Sequence, residues 1–310
     1  MATMASGASG TSKVVSMRDA IARFVHDGDT VVIEGFTHLI CFAAGHEIIR
    51  QKRRDLVLCR LTPDIIYDQM IAAGCARKLV FSWAGNPGVG SLHAFRRAVE
   101  AGNPPLEIEE YSHFGMVARF AAGAAHLPFW PLRDYNGTDI PASNPRILQV
   151  TCPFTGEKLA AVPALNPDVT IVHAQRADAE GNAQIWGLLG VQKEAAFASK
   201  RVIVVVEELV ETSVVRADPN RTLIPGMIVD AVVVEPWGAH PSYSQGHYDR
   251  DNEFYLAWEN VSRDERSLRR YLDEFVHGVE DRAGYLAKHP GLTERLAARA
   301  MMCEGVNYGY

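Results

Sequence analysis

Val31-Val32-Ile33-Glu34-Gly35-Phe36-Thr37-His38-Leu39-Ile40 passes from three β-branched residues to a carboxylate, a glycine, an aromatic ring, a hydroxyl and an imidazole. β-branched side chains suit a buried strand, and Gly35 allows the backbone to turn sharply where the strand ends. In a parallel α/β sheet, ligands bind beyond the carboxyl ends of the strands. The stretch therefore predicts a buried strand whose outgoing loop is the first wall of a ligand pocket.

Around it the pattern repeats. Ser16 predicts an N-cap for a helix with Met17, Ile21, Phe24 and Val25 on one face, and Asp27-Gly28-Asp29 ends it. A helix over 42–54, basic at its end, precedes a strand over 56–61. Thr62-Pro63-Asp64 predicts a cap followed by proline in the first turn, and Gly74 closes that helix. A strand over 78–83, a helix over 91–101 stopped by Gly102, a strand over 106–111 and a helix over 113–125 follow, then an apolar stretch over 127–132. Strands alternating with helices predict an α/β fold with an open, mostly parallel sheet and helices on both faces.

The segment 133–146 is polar and rich in Pro, Gly and Asn, and reads as a long loop or lid. Residues 148–152 and 158–162 predict a hairpin. A buried strand over 168–175 turns through 178–182 into a hairpin partner over 183–186. A helix over 193–199 and strands over 201–206 and 228–234 complete the sheet. Leu268, Tyr271, Leu272 and Phe275 mark an amphipathic helical extension that starts at about 252 and packs on the outside. Residues 1–13 read as a disordered extension, and 14–310 as a single domain.

Bulk properties exclude some classes. At 310 residues and 47% hydrophobic, the chain can bury a large core, and a net charge of −6 gives no case for nucleic acid. No apolar run is long enough for a membrane span, and the start lacks the apolar centre of a signal peptide. Cys41, Cys59, Cys75, Cys152 and Cys303 form no CxxC pair, so no disulfide framework is expected and the cytoplasm is the default compartment.

Three loops follow predicted strand ends: Glu34 to His38, Ser82 to Gly90, and Tyr111-Ser112-His113. In a parallel sheet all three lie on one edge and can line one cavity. Their glycines and polar groups suit a carboxylate or thioester. The GxxGxG run in the second loop is not a dinucleotide fingerprint, and no Walker lysine follows it. His38, Cys41 and His46 match no familiar zinc spacing, so no metal is expected. A packed thiol is the simpler reading of Cys41. His173, Trp186 and Trp237 read as core or interface residues, and Glu207 and Glu208 as solvated or capping ones.

Asp27-Gly28-Asp29-Thr30-Val31-Val32-Ile33-Glu34-Gly35-Phe36 resembles the signature of the A-type subunit of the family I coenzyme A transferases. In the second half, Val162-Pro163, Asp168 to Gln175, Gly181-Asn182, Ile185-Trp186-Gly187, Ile224-Pro225-Gly226-Met227 and Gly238-Ala239-His240-Pro241-Ser242 extend the resemblance over nearly the whole chain after Val14. They point to the branch that handles glutaconate. Glu34 to Ile40 and the segment from Phe81 to His93 are closer still to the 3-oxoadipate branch.

The resemblance implies a ribose-5-phosphate-isomerase-like sheet and no permanently bound cofactor, with a coenzyme A thioester as substrate. It also implies that the catalytic glutamate belongs to a partner, the B-type CoA-transferase subunit, in a hetero-oligomer of αβ units. This chain then holds no catalytic residue of its own, Glu34 and His113 being the lesser candidates. It contributes substrate contacts from Gly35, Phe36, Thr37, His38, Trp83, Asn86, Tyr111, Ser112 and His113. Glu34 stands where many relatives have glycine, and His113 where many have glutamine. The expected reaction transfers coenzyme A from succinyl-CoA to a short dicarboxylic or 3-oxo acid such as 3-oxoadipate or glutaconate. The alternatives are hydrolysis or C–C cleavage of a ring-derived thioester, and a non-catalytic ligand sensor on the same fold.

Overall fold

The computed structural model describes residues 12–298 apart from 88, 103 and 104. The quoted stretch forms the strand β1 (Thr30–Glu34). Val31 and Ile33 face one core and Val32 the other, as the two-residue period of a strand requires. The strands β2 (Leu56–Cys59), β3 (Ala76–Phe81) and β4 (Glu107–Glu110) extend the sheet outward from β1, each parallel to its neighbour.

Three strands come next: β5 (Phe129–Leu132), β6 (Leu148–Thr151) and β7 (Lys158–Pro163). They form a separate antiparallel sheet in the order β5-β7-β6. The predicted hairpin is β6–β7, and the apolar stretch before it supplies the third strand. The chain then returns to the far side of β1 as β8 (Val169–Ala177), with β9 (Ala183–Gln184) as its hairpin partner. The remaining strands are β10 (Arg201–Leu209), β11 (Thr222–Ile224) and β12 (Ala231–Val234). The main sheet thus runs β12-β10-β8-β1-β2-β3-β4, all parallel, with β9 and β11 as antiparallel additions.

This order places a topological switch point at β1. Strand order proceeds outward through β2 in one direction and through β8 in the other, so a crevice opens where Glu34 and Gly35 leave the sheet. Helices Phe42–Arg50, Ile65–Ala72 and Asn252–Arg263 cover one face. Helices His113–Ala124 and Gln192–Ala198, with the small sheet, cover the other.

The C-terminal extension packs on the covering helices through the apolar face its spacing marks: Tyr255, Trp258, Leu268, Tyr271, Leu272 and Val276 are buried in the same core as Val31 and Ile33. Three expectations are corrected. The helix over 42–54 stops at Arg50. Asp64, not Thr62, caps the next helix by accepting from Ile66 N–H (3.3 Å), which leaves Pro63 just outside. The segment 133–146 is pinned rather than lid-like: it contains the short helix Ile140–Ser143, Tyr135 Oη accepts from Ser112 N–H, and Asn144 donates to the Glu110 carbonyl.

Residues 1–11 of the expected extension and Cys303 lie outside the described residues, while Lys13 is fastened by its ammonium to the Gly226 and Val229 carbonyls. Cys41, Cys59, Cys75 and Cys152 are free thiols. Among the described residues no helix is long and apolar enough to cross a membrane.

Candidate active site

A cavity of about 400 Å³ opens across the carboxyl ends of β1 to β4. Its walls are Phe36 and Thr37 after β1, Arg60, Thr62 and Asp64 after β2, Trp83 and Pro87 after β3, and His113 after β4. The three loops therefore do meet, and they bring Phe36, Thr37, Trp83 and His113 together.

The inner wall is the turn from Gly35 to Ile40. It folds so tightly that a Cβ on Gly35 would come within 2.7 Å of the Leu39 carbonyl oxygen, so only glycine fits. Thr37 (φ 57°) and Leu39 (φ 56°) adopt the left-handed conformation that non-glycine residues rarely occupy. His38 is fully buried, with Nδ1 on the Leu188 carbonyl (2.9 Å) and Nε2 accepting from Gln245 N–H (3.1 Å). Both ring nitrogens are occupied in the neutral tautomer, and burial pushes the imidazole down to about 4. His38 therefore buttresses the wall instead of reaching the cavity.

Beneath the turn lies a group of charges whose centre, Arg60, sequence reasoning missed. Arg60 is buried, donates through Nε and Nη2 to the Gly35 carbonyl, and pairs with Asp64 (3.1 Å). The signal was a lone arginine ending an apolar run, with a carboxylate four residues on. Glu34 is also buried: its Oε1 sits 3.5 Å from Val191 N–H, and its Oε2 has no partner among the described residues. Burial pushes its carboxyl up to about 7, against the pull of Arg60. A Cβ on Gly190 would lie 2.9 Å from Glu34 Oε1, so Gly190 closes over the carboxyl and Glu34 does not line the cavity.

The outer wall is open. Trp83 is 46% exposed, its ring folded over Gly85. His113 meets Phe36 edge-on at 6.2 Å. Its Nδ1 lies 2.9 Å from Ser82 Oγ, whose single proton is donated to the Leu61 carbonyl (2.6 Å). Ser82 Oγ must therefore accept from Nδ1–H, and neutral His113 keeps its Nε2 lone pair free. It can donate from Nε2 only when protonated.

The other expected contacts turn inward. Asn86 is buried and donates to the Tyr255 carbonyl (2.7 Å), which ties its loop to helix Asn252–Arg263. Tyr111 is buried, its hydroxyl on Glu109 (2.7 Å) and its ring under Arg119. Ser112 caps helix His113–Ala124 by accepting from Gly115 N–H (2.9 Å), and its hydroxyl donates to Asp134. Tyr111 and Ser112 thus spend their hydroxyls on the fold, while Asn86 commits its amide N–H and leaves Oδ1 buried without a partner among the described residues. Gly88 falls outside the described residues. His38, Cys41 and His46 do not converge: Cys41 starts helix Phe42–Arg50, and His46 bonds Gln69 (2.8 Å). Glu207, read as solvated, is buried between His173 (2.6 Å) and Tyr248 (2.5 Å).

The cavity thus offers two aromatic walls, a fixed guanidinium floor and one histidine. Asp64 is the one carboxylate among its lining residues, and Arg60 and the helix cap hold it. The surroundings suit binding of an acid better than nucleophilic attack.

Comparison with known proteins agrees with this architecture. Residues 14–235 match the coenzyme A transferase family. The chain is 54% identical over 278 residues to the A-type subunit of the 3-oxoadipate CoA-transferase of Pseudomonas knackmussii, covering 89% of this chain and 98% of that one. It is 35% identical to the A-type subunit of the glutaconate CoA-transferase of Acidaminococcus fermentans, over 89% of this chain and 92% of that one. The crystal structure of glutaconate coenzyme A-transferase from that organism superposes with a TM-score of 0.87 over 93% of this chain and 96% of that one, at 34% identity. A more distant relative, the cholesterol ring-cleaving hydrolase IpdA subunit of Rhodococcus jostii, is 32% identical over 60% of this chain and 66% of its own. The chain belongs to the coenzyme A transferase family, as an enzyme subunit of the A type.

Proposed function

We propose that this chain is the A-type subunit of a heteromeric enzyme that moves coenzyme A from an acyl-CoA, succinyl-CoA, to a short dicarboxylic or 3-oxo acid such as 3-oxoadipate. The observation that carries the reading is a cavity whose one lining carboxylate among the described residues, Asp64, is buried and paired with Arg60, in a chain 54% identical to its 3-oxoadipate transferase relative. A glutamate of the B-type partner attacks the thioester carbonyl and expels the coenzyme A thiolate, leaving an acyl–glutamyl anhydride. The thiolate attacks the glutamyl carbonyl, releasing the first acid and forming a glutamyl-CoA thioester. The acceptor carboxylate reverses both steps, and the new acyl-CoA leaves with the glutamate regenerated. In this scheme Phe36 and Trp83 pack the acid's methylenes, and protonated His113 donates Nε2–H to its second carboxylate.

One observation favours a second reading. The free Nε2 of neutral His113 can take a proton from water, which suits thioester hydrolysis. Incubating the complex with acyl-CoA and no acceptor separates the two. Transfer predicts arrest as an enzyme-bound thioester, and hydrolysis predicts turnover to free acid. The chain without its partner is expected to be inactive, and full activity from it alone would overturn the proposal.

A further inference from the structure

The motif Gly238-Ala239-His240-Pro241-Ser242 contributes no residue to the cavity, yet it lies in a segment with an unusual anchorage. Trp237 and Tyr248 begin and end that segment. Trp237 N–H donates to Glu207 Oε2 (2.7 Å), Tyr248 Oη–H donates to Oε1 of the same carboxylate (2.5 Å), and the two rings stack at 4.2 Å. Burial would push the Glu207 carboxyl up, but His173, Tyr248 and the Trp237 amide hold it low, so it stays an anionic acceptor. Arg282 fixes the strap from outside through the Trp237 and His240 carbonyls.

Between these anchors the strap reaches the inner wall of the cavity. Ser242 Oγ–H donates to the Thr37 carbonyl (2.8 Å), and the same oxygen lies 3.4 Å from Ile40 N–H. The Tyr243 carbonyl accepts from Leu39 N–H (3.0 Å), and the Tyr243 ring covers His38 at 4.5 Å. The Gln245 amide donates to His38 Nε2 (3.1 Å). Each contact from strap to turn thus ends on the two left-handed residues or their immediate neighbours. Left-handed conformations are unfavourable for such residues and persist only where surrounding contacts over-determine them.

We propose that Ser242 is a positioning residue. With Tyr243 and Gln245 it holds the turn from Thr37 to Ile40 in its left-handed form and thereby sets Phe36 and Thr37 against the bound acid. The inference rests on the proposed transferase reading only for its kinetic consequence. The backbone consequence is independent of it.

The test uses Ser242→Ala in the full chain, in the assembly in which it purifies. Peptide-resolved hydrogen exchange is expected to rise over 35–42 while the β1 residues 30–34 keep their protection. The KM for the acceptor acid is expected to rise about tenfold with kcat within about twofold, the pattern of lost binding geometry. Unchanged exchange over 35–42 overturns the proposal, as does faster exchange there with unchanged KM, or loss of protection spread equally through β1. A wild-type assembly without transfer activity would overturn the transferase reading and leave the exchange result standing. Should the alanine variant not fold, Ser242→Cys, with a weaker donor in similar volume, carries the same measurements.

Discussion

The two walls of the cavity come from equivalent places in the fold, yet they are built in opposite ways. The turn after β1 is buried, strained at Thr37 and Leu39, and gripped by Arg60 on Gly35 and by Ser242 and Tyr243 on the far side. The loops after β3 and β4 present an exposed Trp83 and His113, with polar neighbours that tie their loops to the fold. A rigid inner wall facing an accessible outer one suits an enzyme in which a second chain must bring the nucleophile to a bound substrate. Stability should reside in the first wall and selectivity in the second.

The sharpest way to break that division is Arg60→Met. It leaves Asp64 buried without its partner and strips the Gly35 carbonyl of its donors, so a loss of about 3–5 kcal/mol is expected in urea unfolding. A loss below about 1 kcal/mol would mean that the inner wall does not depend on its charged floor.

Next in size is a pH effect at Glu34. Its folded carboxyl lies near 7 against an ordinary value of 4.5, so the native state holds the proton more tightly. That contribution is fully present below 4.5 and is lost as pH rises through 7. Glu34→Gln, which stays neutral, is therefore expected to exceed the wild type at about pH 8 by on the order of 3 kcal/mol and to match it near pH 4.5. Equal stabilities across this range would place an ionised Glu34 in the folded protein without cost.

The outer wall should respond in the opposite manner. His113→Ala is expected to change unfolding free energy by under about 1 kcal/mol while raising the KM for a dicarboxylic acid about tenfold. His113→Gln sharpens the point, because an amide keeps a hydrogen-bond donor at this position, so most of the binding lost in the alanine variant is expected to return. The smallest effect belongs to Trp83→Ala, with roughly threefold in KM and stability within about 0.5 kcal/mol.

The contrast between the walls also explains what can be read from the sequence. The strands β1 to β4 are legible because short runs, β-branched in β1 and apolar in β2 and the end of β3, alternate with helices and end in glycine, proline or polar turns, and the register of a parallel sheet then brings their loops to one edge. Phe36, Thr37, Trp83 and His113 follow from that geometry alone. Asn86, Tyr111 and Ser112 read as ligand contacts because a polar loop residue looks the same whether it faces a ligand or a distant carbonyl. Asn86 finds Tyr255, 169 positions away, and nothing local announces it. Arg60 is hidden for the converse reason. A charged residue at a strand end suggests solvent, and only the folded chain shows Gly35 and Asp64 closing around it.

The central claim is that this chain shapes the pocket while the nucleophile arrives from another. Mass spectrometry of the assembly after exposure to acyl-CoA, with the covalent coenzyme A adduct mapped to its peptide, tests it directly. A partner-borne nucleophile predicts the adduct on a glutamate of the second chain, in wild type and in Glu34→Gln alike. An adduct on the peptide containing Glu34, lost in Glu34→Gln while the fold persists, would contradict it.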